Sequence, residues 1–244
     1  MIPAKSLLTA TLAGLALSAA ASAALVSINF TGNAGANGSL SASDVAGALP
    51  AANWNNATSG SALVDSTGAA SALTVTYNIG GWSNQFVGAT TANERLMKGY
   101  LDINQNTATL TLNNLSASQT YQIYLYSDGE NTSAAVPAVR TGTFTIGGVA
   151  TGITDLAGAQ FSGAFTPVTA GTTGAGNYTV FTVTGSTSYT ISAQGTAADA
   201  IDNVFRAPIN GLQVVSVPEA GTASLLGACG LLALTRRRRG NSAS

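Results

Sequence analysis

The chain has no histidine and only one cysteine among its 244 residues. Without histidine there is no Ser-His-Asp or Cys-His nucleophile relay, and no imidazole to ligate zinc. The lone Cys229 lies in an apolar run near the C-terminus, where it acts as a small apolar residue. No disulfide can therefore staple the body, which must be held by packing. Charged residues make up only 8% of the chain. No glycine-rich loop opens a helix after a strand, so nothing cradles a nucleotide phosphate. Glu, Lys and Arg, the long helix formers, are scarce. What is abundant is Gly, Ala, Ser, Thr and Asn, in short alternating runs separated by turn clusters. That pattern belongs to an all-β chain.

The two ends differ from the middle. Lys5 is the lone positive charge of a short N-terminal region, and Leu7 to Leu17 form an apolar stretch with Leu7, Leu8, Leu12, Leu15 and Leu17. Ala21-Ser22-Ala23 is a small-residue cleavage site, so residues 1–23 read as a signal peptide cut between Ala23 and Ala24. No cysteine follows the cut, which argues against a lipoprotein. The other end, residues 217–240, has three parts. Val217, Pro218 and Glu219 come first, then an apolar run from Ala220 to Thr235, then Arg236, Arg237, Arg238 and Arg239. As a helix the run is about 24 Å long at ~1.5 Å per residue. That is short of the roughly 30 Å hydrocarbon core. The arginines supply a stop-transfer signal, because positive charge beside a membrane segment stays on the cytoplasmic side.

This three-part layout resembles the PEP-CTERM sorting signal of Gram-negative bacteria. Val217, Pro218 and Glu219 match its motif, while Ala220 stands where the family has proline. The resemblance covers about the last 25 residues of the chain. It implies export through the Sec machinery, signal peptidase cleavage, and an inner-membrane precursor held by the helix 220–235. It further implies removal of the tail by an exosortase, with the mature form at the cell surface or in the extracellular matrix.

Residues 24–216 remain, one domain in length. They carry four basic residues, Arg95, Lys98, Arg140 and Arg206, against nine acids, a net charge near −5. Such a body cannot neutralise phosphates, so nucleic acid is excluded as a partner. Strands are expected at Ala24 to Phe30, Leu73 to Ile79, Leu96 to Ile103, Thr109 to Leu115, Tyr121 to Ser127 and Thr141 to Ile146. Others are expected at Gln160 to Phe165, Tyr178 to Thr184, Ser188 to Ser192 and Gly211 to Val217. Thr109 to Leu115 and Tyr121 to Ser127 read as the clearest pair, joined by Ser116 to Thr120. A single helical turn is expected near Ser43 to Leu49, and helix otherwise only at the termini. The expected architecture is a β-sandwich of two antiparallel sheets, jelly-roll-like, with an N-terminal signal helix and a C-terminal transmembrane helix. Leu115 followed by Tyr121 resembles the tyrosine corner of immunoglobulin-like sandwiches, where the phenol bonds the backbone of the preceding arch. Strand spacing and the Asn210-Gly211-Leu212-Gln213-Val214 ending resemble galactose-binding-like jelly rolls.

Candidate ligand residues are few. Trp54 and Trp82 sit in polar surroundings, and Asn53, Trp82, Trp54 and Asn55 together are the candidates for stacking on and bonding a sugar. The competing reading makes each indole a cap on the end of the sandwich, its N–H bonded to a loop carbonyl. Asp102, Asn104 and Asn106 offer alternate oxygens to calcium, and Asp199, Asp202 and Asn203 form a second oxygen cluster. The first lacks the glycine and glutamate of an EF-hand loop, and Asp and Asn are ordinary turn residues. No other cofactor is implied. A glycosidase needs two carboxylates, and nothing in the sequence pairs Glu94, Glu130 or the aspartates. The expected function is thus non-catalytic: an exported surface or matrix protein that binds or associates with exopolysaccharide. A purely structural or adhesive surface protein is the alternative, and a glycoside hydrolase or lyase a distant third.

Overall fold

Alternation of apolar and polar residues builds the frame. In Ala108–Asn113, Arg140–Ile146 and Tyr178–Thr184 every second side chain is buried, the signature of strands with one face in a core. The computed structural model describes residues 24–104, 107–129, 139–156, 158, 160–195 and 205–217. In chain order come β1 (Leu25–Asn29), the two-residue strands β2 (Asn55–Asn56), β3 (Leu63–Val64) and β4 (Ala70–Ser71), then β5 (Thr74–Tyr77) and β6 (Gly81–Ser83). A helix, α1 (Ala92–Lys98), leads into β7 (Gly99–Leu101), β8 (Ala108–Asn113) and β9 (Thr120–Tyr126). The rest are β10 (Arg140–Ile146), β11 (Val149–Asp155), β12 (Pro167–Val168), β13 (Thr173–Ala175), β14 (Tyr178–Thr184), β15 (Ser188–Gly195) and β16 (Gly211–Val217).

The protein is all-β, with two six-stranded sheets. The first has the order β12-β14-β9-β16-β1-β2, and the second β13-β11-β10-β15-β8-β5. Ile28, Ile123, Leu125, Phe181 and Leu212 of the first sheet share one buried cluster with Val75, Leu110, Leu112, Phe144 and Ile191 of the second. The sheets therefore face each other in a sandwich-like arrangement. Each such side chain, fully buried, contributes about 1.5–3 kcal/mol. The long central strands pair antiparallel as expected. The edges depart from that: β2 on β1, β13 on β11 and β12 on β14 are parallel.

The first sheet is buried on both faces. Tyr124 and Tyr126 alternate with Ile123 and Leu125, so they point away from the shared core. There they join a second cluster with Leu40, Trp54, Leu96, Met97 and Phe161. Beneath this outer layer the sheet presents polar side chains, most of them hydrogen-bonded, with Asn29 Oδ1 left without a partner. Gln213 Nε2 donates to Ser27 Oγ at 3.1 Å and to Leu49 O at 2.8 Å. Tyr126 Oη donates to Gln213 Oε1 and accepts from Ala48 N at 2.8 Å.

Several sequence expectations need correction. Thr109 to Leu115 and Tyr121 to Ser127 do not pair: β8 bonds β15 and β5, whereas β9 bonds β14 and β16. The connection is an arch between sheets, because both strands bury an apolar face in the same core from opposite sides. Tyr121 locks that arch, its Oη accepting from Ser116 N at 2.9 Å, which is tyrosine-corner geometry. The strand expected at Leu96 to Ile103 is shorter: Leu96 to Lys98 end the helix α1, and only Gly99–Leu101 form the strand β7. Thr91 and Glu94 form a capping box at the start of the helix, and Leu96 and Met97 are its buried face. Gln160 to Phe165 is not a strand. The strand is instead β11, joined to β10 by Gly147 and Gly148, both with positive φ, in a two-residue hairpin. The turn expected near Ser43 to Leu49 is a pair of chain bends closed by an Ala46–Ala51 bridge, and the short 3₁₀ helix lies at Gly35–Gly38. Among the described residues no helix is long and apolar enough to cross a membrane. Residues 1–23, expected as a signal peptide, and 220–235, expected as a transmembrane helix, lie outside the described residues.

Candidate functional site

Two adjoining clefts open at one end of the sheets, where β9 and β11 finish and β10 and β14 begin. They share Asp128 and Asp155. The smaller, with room for little more than one water molecule, is lined by Tyr100, Arg140, Arg206 and Pro208 among others. The larger, about 620 Å³, is lined by Gln160, Phe161, Ser162 and Asn177 among others.

Each side chain is placed by a definite element. Asp128 follows β9 by two residues, and its backbone N–H donates to Asn210 Oδ1 at 2.6 Å. The Asn210 amide donates in turn to Met97 O at 2.9 Å and Gly99 O at 3.0 Å, tying helix, ribbon and cleft floor together. Arg140 opens β10 directly opposite Asp155, the last residue of β11. Arg206 is held at 2.9 Å from Asp102. Asn177 is fixed by its loop, accepting from Thr166 N and donating to Ala164 O. Tyr100 comes from the β6–β7 ribbon, where it stands opposite Trp82.

Asp128 is only 5% exposed. Burial, and then the charge of Asp155, push its carboxyl well above the usual carboxylate range. Backbone N–H groups of Phe161 and Gly129 oppose that shift. The site therefore sets a carboxyl whose charged form is disfavoured beside one in register with an arginine. It can donate and accept hydrogen bonds within a few ångströms, which is what a hydroxyl-rich ligand asks for.

The residues singled out from sequence are dispersed. Trp54 is 4% exposed. Its ring packs edge-on to Tyr126 and its Nε1 donates to Ala51 O at 3.0 Å. This corrects its assignment as a sugar platform: it has no open face, and it fills the cap role. Asn53 and Asn55 are likewise structural, Asn53 bonding Ser66 O, and Asn55 bonding Ser27 O and Val64 on both its amide groups. Trp82 differs, being 44% exposed on the ribbon. Asp102 is engaged by Arg206, and Asn104 Nδ2 donates to Asp102 Oδ2 at 3.3 Å. A cation there would have to displace a guanidinium, which is the physical case against the calcium assignment. Asn106, with Asp199, Asp202 and Asn203, lies outside the described residues. Among the described residues no three His, Cys, Asp or Glu cluster as a metal centre would need. Val217 is the last residue of β16, paired with Thr120. Ala24 is the first described residue; Ala23, Pro218, Glu219 and Arg236 to Arg239 lie outside.

Sequence reasoning missed the Asp128–Asp155 pair. The two are 27 positions apart, Asp128 just past the end of β9 and Asp155 at the end of β11, and only the packing of one sheet against the other brings them to one cleft. The one available signal was Ser127-Asp128-Gly129, an acid at the end of the most regular strand. Comparison with protein-family models, with curated proteins and with solved structures gives no match.

Proposed function

We propose that this is a non-catalytic exported protein, displayed at the cell surface or in the extracellular matrix and associated with exopolysaccharide. In this reading the PEP-CTERM-like tail is removed by an exosortase after signal peptidase has cut at Ala23-Ala24. The observation that carries it is the placement of the chain ends. Ala24 N donates to Ser216 Oγ at 2.9 Å, Ser216 N donates to Ala24 O at 3.1 Å, and β1 and β16 run side by side in the first sheet. Both processing points thus leave the body at one end, so either signal can be cut without breaking a strand. The cleft opens at the other end. Thr120 faces Val217 and Tyr126 faces Gly211 along the same ladder, so the two ends are about 20 Å apart at ~3.4 Å per residue. A tether at Val217 leaves the cleft pointing away from it.

Strand order supports the jelly-roll form of the sandwich. The chain passes between sheets from β8 to β9, β9 to β10, β14 to β15 and β15 to β16, the interleaving of that architecture. The test is mass spectrometry of the protein from fractionated native-host cells. The expected surface species begins at Ala24 and lacks Cys229 and the arginine cluster. An intact arginine cluster on surface-exposed protein would overturn the processing scheme.

A further inference from the structure

We propose that the outward face of the second sheet is a self-association surface, which pairs with the same face of a second copy of this chain. The two sheets are finished differently. The first carries an apolar outer layer, whereas Thr76, Thr109 and Thr190, which point outward from the second, are exposed. In β8, Leu110 and Leu112 enter the shared core, so Thr109 and Thr111 point away from it. Register carries this face across the sheet. Thr76, Thr111 and Thr190 form one row across β5, β8 and β15, and Thr109, Ser192 and Thr145 form the next across β8, β15 and β10. Thr111 Oγ1 lies 3.3 Å from Thr190 Oγ1, and Thr141 Oγ1 lies 3.0 Å from Thr154 Oγ1. The only charged residues in the six strands, Arg140 and Asp155, alternate with Thr141 and Thr154 and line the clefts instead.

Charge, hydrogen bonding and area each point to a second copy as the occupant. The body has a net charge of about −5, which sets two copies against each other in general. No like charges meet at this face. A hydroxyl both donates and accepts, so a face of Thr and Ser complements itself, as a face of carboxylates or ammoniums does not. Short side chains also lose less rotamer freedom on burial than Lys, Arg or Glu. Five strands at ~4.8 Å, each about 20 Å long, cover about 500 Å². Two such faces together reach about 1,000 Å², the lower bound of a specific interface. The competing route, strand-to-strand pairing at a sheet edge, is blunted. On β5, Val75 O accepts from Gly60 N at 2.8 Å and Tyr77 N donates to Ser59 Oγ at 2.9 Å. At the other edge β13 has only three residues.

Twisted sheets pack face to face with their strands within about 30° of each other. A two-fold axis along the strands then keeps Ala24 and Val217 of both copies on one side and both clefts on the other. The surface-protein reading supplies only the setting, two copies tethered side by side; the pairing needs the face alone.

The experiment is sedimentation equilibrium of the full chain in density-matched detergent, from about 10 to about 500 µM. The wild type should pass from one chain to two over that range. Ser192 stands in the middle row, so Ser192→Lys sets like charges across the axis and should weaken association about tenfold or more. Ser192→Asp alone should do the same, and an equimolar mixture of the two variants should associate again. Val45→Lys, in the outer layer of the first sheet, should match the wild type. Unchanged circular dichroism and thermal midpoint would show that each variant folds. A wild type that stays monomeric, including one that sediments with added dextran instead, would overturn the proposal. So would Ser192→Lys associating like the wild type, which would place the contact on the tail or another face, and so would a mixture that stays dissociated. Each of these leaves the export reading standing, because that is decided by the chain ends recovered from the cell.

Discussion

The polar seam between the first sheet and its outer layer should be a principal source of stability, and Tyr126→Phe tests this. The ring is fully buried, with Trp54, Phe165 and Tyr178 around it. Burial pushes its phenol pKa up, so the O–H stays protonated through the working range. Phenylalanine keeps the ring packing and removes one oxygen. Two groups then lose their partner: the half-buried Ala48 N–H and the buried Gln213 Oε1. A buried group left unsatisfied costs about 1–3 kcal/mol. Gln213 keeps its bonds to Ser27 and Leu49 and cannot turn to compensate. The expected loss is about 2–4 kcal/mol. For a body of this size that is a fall of about 5–15 °C in thermal midpoint. Urea unfolding should show a lower midpoint at constant slope, since the folded surface is unchanged. Combining the change with Gln213→Leu should give a loss smaller than the sum of the two, because both remove the same bond. A loss under about 0.5 kcal/mol would refute the reasoning, since it would mean that water reaches the seam.

Two further changes probe the cleft and the ribbon. Asp128 has a raised carboxyl in the folded protein, facing Asp155, with Arg140, Arg206 and Tyr100 also lining the cleft. The stability it contributes is complete below the unfolded value of 3.8 and is lost as pH rises through the raised folded value. Asp128→Asn escapes that loss, so its urea midpoint should gain on the wild type as pH rises above the unfolded value; a gap moving the other way would show that the carboxylate is stabilised by its surroundings. Gly99→Ala places a Cβ 2.1 Å from Thr31 O and 2.3 Å from Thr31 C. Backbone cannot swing aside as a side chain can, so a loss of about 3 kcal/mol or more is expected by thermal melting, and a near-neutral result would mean that the ribbon is not seated as described.

How much of this was legible in advance can be seen residue by residue. Strands β10 and β14 were readable because every second side chain is buried, and a period of two survives in the sequence. Tyr121 was readable because its bond is local, five residues back to Ser116. The helix α1 was missed although Thr91 and Glu94 spelled a capping box, because Leu96, Met97 and Tyr100 suggested strand. Trp54 misled because its asparagine neighbours look solvated. In fact each amide is consumed by backbone groups: Asn53 by Ser66 O, and Asn55 by Ser27 O of β1 and Val64 O of β3.

Composition and local pattern alone thus determined an all-β body with no histidine chemistry, no disulfide and no basic face. These follow from residue types and from side-chain alternation, which need no partner strand. The tertiary structure alone decided which strands pair, that the first sheet is buried twice, and that Asp128 meets Asp155. Those facts depend on which apolar faces meet across a shared core. Two strands with the same alternation are equally good hairpin partners or arch partners until the whole apolar surface is counted, and that count is made only by the folded chain.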